Sequence, residues 1–229
     1  MPSGAGGGTH AQGGSPAPGT CPPPGSPAGT PSPGGGMQRL LLVVDPQQDF
    51  ITGSLPVPGA REAMDALAGA LRLADGVYAA KVVTCDRHPY DHSSFRERGG
   101  EWPRHCVVDT AGAALWPALV PPLYETAGAC EVLHKGEARE REEYSIFQNP
   151  SARERILALV DGLGVTRVEI CGLAGDICVL STLRDGVGLL GPGRFAVLAP
   201  FAPSLDGGAK LAAYAVGAGI PLVDAPGAN

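Results

Sequence analysis

Residues 168–188 read VEICGLAGDICVLSTLRDGVG. A buried strand ends in this stretch and a helix begins, with Cys178 at the junction. At a helix N-terminus the unpaired backbone N–H groups and the helix dipole favour a thiolate, and they can cradle an oxyanion. Cys178 is thus placed for nucleophilic attack. It also suits the bland role of a small buried apolar residue, as most free cysteines do, so the rest of the chain decides between the two.

Working outward, apolar runs alternate with helical patterns. The runs are Leu40 to Val44, Val77 to Thr84, Glu131 to His134, Arg167 to Cys171, Phe195 to Leu198 and Pro221 to Val223. Arg61 to Leu73, Ala152 to Asp161, Ile177 to Arg184 and Gly208 to Ala218 read as helices. This alternation predicts βαβ units and an α/β fold whose parallel sheet is covered on both faces. Arg87 to Tyr124 and Gly136 to Asn149 read as long, polar, Pro/Gly-punctuated loops, a length that favours function.

Of the 229 residues, the first 36 contain no Asp, Glu, Lys or Arg and 21 of them are Gly or Pro. That composition cannot bury a core, so residues 1–36 are expected to be a disordered tail and residues 37–229 a single domain. The tail lacks the basic and apolar regions of a signal peptide. Met37 directly precedes the first strand-like run, so a start at Met37 competes with a genuine flexible tail. No apolar run approaches the roughly 20 residues of a membrane span, which predicts a soluble protein. The net charge of −6, with both signs interleaved, argues against a nucleic-acid or polybasic membrane partner. Six cysteines at 21, 85, 106, 130, 171 and 178 have no C-x-x-C spacing, which fits a reducing cytoplasm.

In open α/β sheets, ligands gather at the carboxyl ends of the strands. The first run ends in Asp45, the second in Asp86, the third in Lys135, and the fourth leads to the turn presenting Cys178. A carboxylate, an ammonium and a thiol in one cleft form a nucleophile with a base and a charge partner. Asp86 and His88 in D-x-H spacing, with His105 17 residues on, supply one carboxylate and two imidazoles. That donor set leaves open coordination positions, as catalytic metal sites do, and suits zinc, manganese or iron.

The segments VVDPQQDF (43–50), TCDRHPYDHSSF (84–95), EWPRHCV (101–107), LHKGEAREREEYSIF (133–147) and CGLAGDICV (171–179) resemble, in this order, the nicotinamidase branch of the isochorismatase-like cysteine hydrolases. The resemblance implies a three-layer α/β/α fold around a six-stranded parallel sheet, a Cys–Asp–Lys triad at Cys178, Asp45 and Lys135, and one divalent metal that helps hold the substrate. It places the oxyanion hole at the backbone N–H groups of Ala174 and Cys178, with a cis peptide between Leu173 and Ala174. Phe50 and Trp102 match aromatic wall residues, Tyr144 is expected to close the pocket, and Asp49 is expected to support the site from behind. His92 matches a position that either completes the metal shell or only lines the pocket. The chain departs from the common pattern at Arg87, Gly175 and Ile177, none of which is a triad or metal residue.

The expected activity is hydrolysis of nicotinamide to nicotinate and ammonia through a cysteine thioester, feeding NAD salvage; pyrazinamide should also fit. The alternative is a cysteine amidohydrolase of the same family acting on another small amide, such as a ureido or carbamoyl compound. Similar proteins range from monomers to higher assemblies, which leaves homo-oligomerisation open.

Overall fold

The computed structural model of the chain describes Gly4 and residues 37–228. The disordered tail expected at residues 1–36 lies outside the described residues, Gly4 apart. Six parallel strands, β1 (Arg39–Val44), β2 (Ala80–Asp86), β3 (Ala129–Lys135), β4 (Arg167–Gly172), β5 (Phe195–Leu198) and β6 (Leu222–Val223), lie in the order β3-β2-β1-β4-β5-β6. The strand order reverses direction between β1 and β4. A crevice opens there beyond the carboxyl ends, where such sheets bind ligands.

Alternation along the strands assigns each side chain to a face. Leu41, Val43, Val83 and Cys85 face one side, packed with Met64, Leu67 and Leu71 of α1 (Ala60–Leu73) and Leu123 of α2 (Val120–Glu125). Leu40, Leu42, Val82 and Ile170 face the other side. They pack with α3 (Pro150–Gly162), α4 (Leu180–Leu190) and α5 (Ala209–Gly217) through Ile156, Leu183 and Leu211. Both faces being covered, β1 is apolar from Leu40 to Val44 and buried along its whole length.

Several boundaries differ from the sequence reading. Val77 does not open the second strand, because its N–H closes the turn after α1 on the Ala74 carbonyl, and the Tyr78 hydroxyl donates to buried Glu169 at 2.6 Å. The loop read as Arg87 to Tyr124 contains the start of α2, whose first turn accepts Pro121 and Pro122 since those positions have no intrahelical N–H bond to lose. The helix read from Ile177 begins at Leu180. Before it, the Val179 N–H reaches back five residues to the Ala174 carbonyl at 3.2 Å, so Cys178 sits in a wide π turn rather than on the helix proper.

Gly172 makes this turn possible. Its φ is +117°, and a Cβ there would lie 2.0 Å from the Val44 carbonyl oxygen on the neighbouring strand. Gly172→Ala is therefore expected to lower stability by about 1–3 kcal/mol or more, read as a fall in the denaturant midpoint. An unchanged midpoint would contradict this placement of β4 against β1.

Candidate active site

Asp45, Asp86, Lys135 and Cys178 come together at the carboxyl ends of β1, β2, β3 and β4, and all four are buried. Asp45 follows β1 in a left-handed conformation at φ +46°, which Asp tolerates better than most residues. Its backbone N–H bonds the Thr84 carbonyl at 3.0 Å, and its Oδ1 accepts the Thr84 hydroxyl at 2.6 Å. Lys135 Nζ lies 2.9 Å from Asp45 Oδ2, 2.5 Å from Asp86 Oδ1 and 3.6 Å from Cys178 Sγ.

Burial pushes the Asp45 carboxyl up to about 6, against the pull of Lys135 and with a further push from Asp86. Burial also lifts the Cys178 thiol well above its ordinary value, more strongly than the Lys135 ammonium draws it down, while Asp45 and Asp86 add to the rise. The thiol therefore rests protonated. The charge on sulfur is created by proton transfer, and Asp45 is the base beside it. Burial opposes the charge on Lys135, but Asp45, Asp86 and Cys178 together outweigh it and hold the ammonium well above its usual range.

One ligand atom from each of Asp86, His88 and His105 lies within 4.8 Å of the others. His88 Nδ1 faces the Gly136 carbonyl at 2.9 Å, and His105 Nδ1 faces that of Pro103 at 2.8 Å. A carbonyl only accepts, so both Nδ1 atoms carry the proton and both Nε2 atoms present lone pairs. His88 Nε2 is buried with no hydrogen-bond partner. An orphaned imidazole nitrogen beside a carboxylate and a second imidazole fits a divalent cation. Asp49 supports this loop from behind, accepting the Cys106 N–H at 2.7 Å and so holding the residue after His105 at φ +46°.

His92 is placed differently. Its Nε2 donates to the Arg141 carbonyl at 3.1 Å, and its Nδ1 accepts from the Ser94 N–H at 3.3 Å with the Ser94 hydroxyl at 2.7 Å. Its ring stacks on His88 with centroids 4.2 Å apart. Both nitrogens being engaged, His92 braces the site rather than offering a lone pair.

A narrow cleft opens above these groups, lined by Phe50, Trp102, Tyr144, Ala174, Ile177 and Cys178. The Trp102 indole N–H donates to the Tyr144 hydroxyl oxygen at 3.0 Å, tying the loop after Lys135 to the metal loop. The Leu173–Ala174 peptide is cis. Arg87 turns away from the cleft to Glu137 on the surface, whereas Ile177 faces into it. Sequence reasoning missed Leu55, Val57, Glu142 and Leu205, which also line the cleft. The three apolar residues carry no chemical signal, and Glu142 is hidden in the charge-rich run AREREE.

A fold and site of this kind define a hydrolase class. The profile described as the Isochorismatase domain matches residues 39–189, and the chain belongs to that family. Within it, the chain is 34% identical over 173 residues to a nicotinamidase of Escherichia coli, covering 66% of this chain and 77% of that one. It is 37% identical over 158 residues to a nicotinamidase/pyrazinamidase of Mycobacterium tuberculosis, covering 65% and 78%. Among solved structures, a pyrazinamidase of Pyrococcus horikoshii in complex with zinc superposes with a TM-score of 0.68 at 33% identity, over 81% of this chain and 98% of that one.

Gly136, at φ +70°, carries the carbonyl that orients His88, and a Cβ there would meet His88 Cε1 at 2.4 Å. Gly136→Ala is expected to displace the imidazole and weaken zinc uptake by about tenfold or more, measured by chelator competition. Zinc affinity equal to the parent protein would show that His88 is not held in this way.

Proposed function

We propose that the protein is a nicotinamide amidohydrolase that converts nicotinamide to nicotinate and ammonia through a thioester on Cys178. The observation that carries this reading is the buried ammonium of Lys135, 2.9 Å from Asp45 and 3.6 Å from Cys178, at the foot of an aromatic-lined cleft. The relatives named nicotinamidase support the choice of amide. The names of these relatives favour that amide over a ureido or carbamoyl compound. Residues 37–229 act as the catalytic domain.

Asp45 takes the proton from the Cys178 thiol as sulfur attacks the amide carbonyl carbon. Lys135 offsets the negative charge passing between the two groups and keeps the Asp45 carboxylate oriented. The backbone N–H groups of Ala174 and Cys178 receive the developing oxyanion. As the tetrahedral adduct collapses, the carbon–nitrogen bond breaks and Asp45 returns its proton to the departing ammonia, leaving a thioester. Asp45 then deprotonates a water that attacks the thioester carbonyl, and as the carbon–sulfur bond breaks Asp45 returns that proton to the Cys178 sulfur; the acid leaves as nicotinate, its proton passing to solvent. Phe50, Trp102 and Tyr144 flank the pyridine ring and fix its plane. Asp86, His88 and His105 would hold a divalent cation, zinc by analogy with the Pyrococcus horikoshii enzyme, which when bound supplies a Lewis-acid anchor for the ring nitrogen.

Five cysteines of the described residues are free thiols, in keeping with a reducing cytoplasm, and among those residues no helix is long and apolar enough to cross a membrane.

Ammonia release from nicotinamide by the purified protein tests the proposal. Cys178→Ala should lower the rate by about a thousandfold or more, and an undiminished rate would overturn the thioester route. Release from another amide but none from nicotinamide would overturn the substrate. Because Asp45 must be ionised to accept the thiol proton and its carboxyl is raised to about 6, kcat/KM should fall about tenfold per pH unit below that value. A flat profile from pH 7 to 5 would contradict Asp45 as the base.

A further inference from the structure

We infer that Glu142 is a second carboxylate of the divalent-metal site, standing where His92 would otherwise complete the donor set. This rests on the metal reading above. Glu142 lies in the loop after Lys135, between two anchors. On one side Glu143, itself buried, accepts the Gly136 N–H at 2.9 Å; on the other the Tyr144 hydroxyl accepts from Trp102. The two ties leave Glu142 facing the cleft that Asp86 and His105 also line.

Its two oxygens are used unequally. Oε1 accepts the Glu143 N–H at 3.0 Å, whereas Oε2 is buried with no hydrogen-bond partner. The adjacent cation, Arg141, pairs with Glu143 instead. The nearest basic nitrogen to Oε2 is His92 Nδ1 at 4.0 Å, and that atom already accepts from the Ser94 N–H. A buried carboxylate oxygen with no donor or cation is costly unless a cation completes it. Glu142 and His88 each have a ligand atom within 4.8 Å of the other, and His88 also belongs to the set with Asp86 and His105, which does not yet include Glu142. His88 Nε2 and Glu142 Oε2 are thus two orphaned, chemically complementary donors beside one site. Ligand atoms on a tetrahedral ion stand about 3.3–3.6 Å apart, a gap that rotation of a glutamate side chain can close. Adding Glu142 to Asp86, His88 and His105 gives two carboxylates and two neutral imidazoles, which neutralise a divalent cation.

The test is zinc affinity by chelator competition on the full chain, with thermal unfolding of each metal-free variant as a fold control. Glu142→Gln, which keeps the shape and removes the charge, should weaken zinc binding about ten- to a hundredfold, while Glu140→Gln, at an exposed carboxylate of the same loop, should stay within about threefold. Glu142→Asp keeps the charge on a shorter arm and should fall between the parent and Glu142→Gln. Should Glu142→Gln fail to fold, a loss in Glu142→Asp at unchanged metal-free unfolding temperature carries the same conclusion, and no loss overturns it. Zinc binding by Glu142→Gln within about twofold of the parent, or a loss in Glu140→Gln as large as in Glu142→Gln, would overturn the assignment while leaving the metal reading intact. A parent protein that takes up no zinc would overturn both.

Discussion

A single ammonium, that of Lys135, organises this molecule. Fully buried charges are stable only with close partners of opposite sign, and here the partners are carboxylates from two neighbouring strands. Asp45 follows β1 and Asp86 ends β2, while the neutral Cys178 thiol, after β4, lies beside the same ammonium. Removing either carboxylate would leave a buried charge short of compensation, so the register of the sheet and the composition of the site are the same requirement seen twice. The left-handed Asp45 is held against that demand by Thr84 from the adjacent strand.

The ammonium also joins the two halves of the site. On one side it faces the thiol and its base; on the other it touches Asp86, whose second oxygen lies 3.7 Å from His88 Nε2. Burial opposes the charge on Asp86, but the Lys135 ammonium bonded to it holds its carboxyl below the usual range. Gln47 ties these halves mechanically: its side-chain amide donates to the Asp86 carbonyl at 2.8 Å and accepts the Asp86 N–H at 2.8 Å, so the turn after β1 and the end of β2 move together. A cleft framed by these ties is preorganised before substrate arrives, which is where electrostatic catalysis draws most of its effect.

Much of this was legible in the chain because a parallel sheet collects its functional residues at one kind of place. An unbroken apolar run such as Leu40 to Val44, closed by a carboxylate, announces both a doubly covered strand and a polar group at its carboxyl end. What escaped was set by three-dimensional context. Thr84 reads as one more strand residue, yet its hydroxyl serves Asp45. Pro121 and Pro122 read as loop punctuation, yet they open a helix. Glu142 sits among charges that look like a solvated face, and only burial singles out its free oxygen.

The central claim is that sulfur of Cys178 carries the acyl group between ammonia release and water attack. Its most direct test is rapid acid quenching of the protein during turnover of nicotinamide, followed by mass spectrometry of the proteolysed chain. The account predicts that the peptide containing Cys178 gains the mass of one nicotinoyl group, and that no other cysteine-containing peptide does. Sustained ammonia release with no acyl group on Cys178 at any quench time, or with the group on another residue, would contradict it.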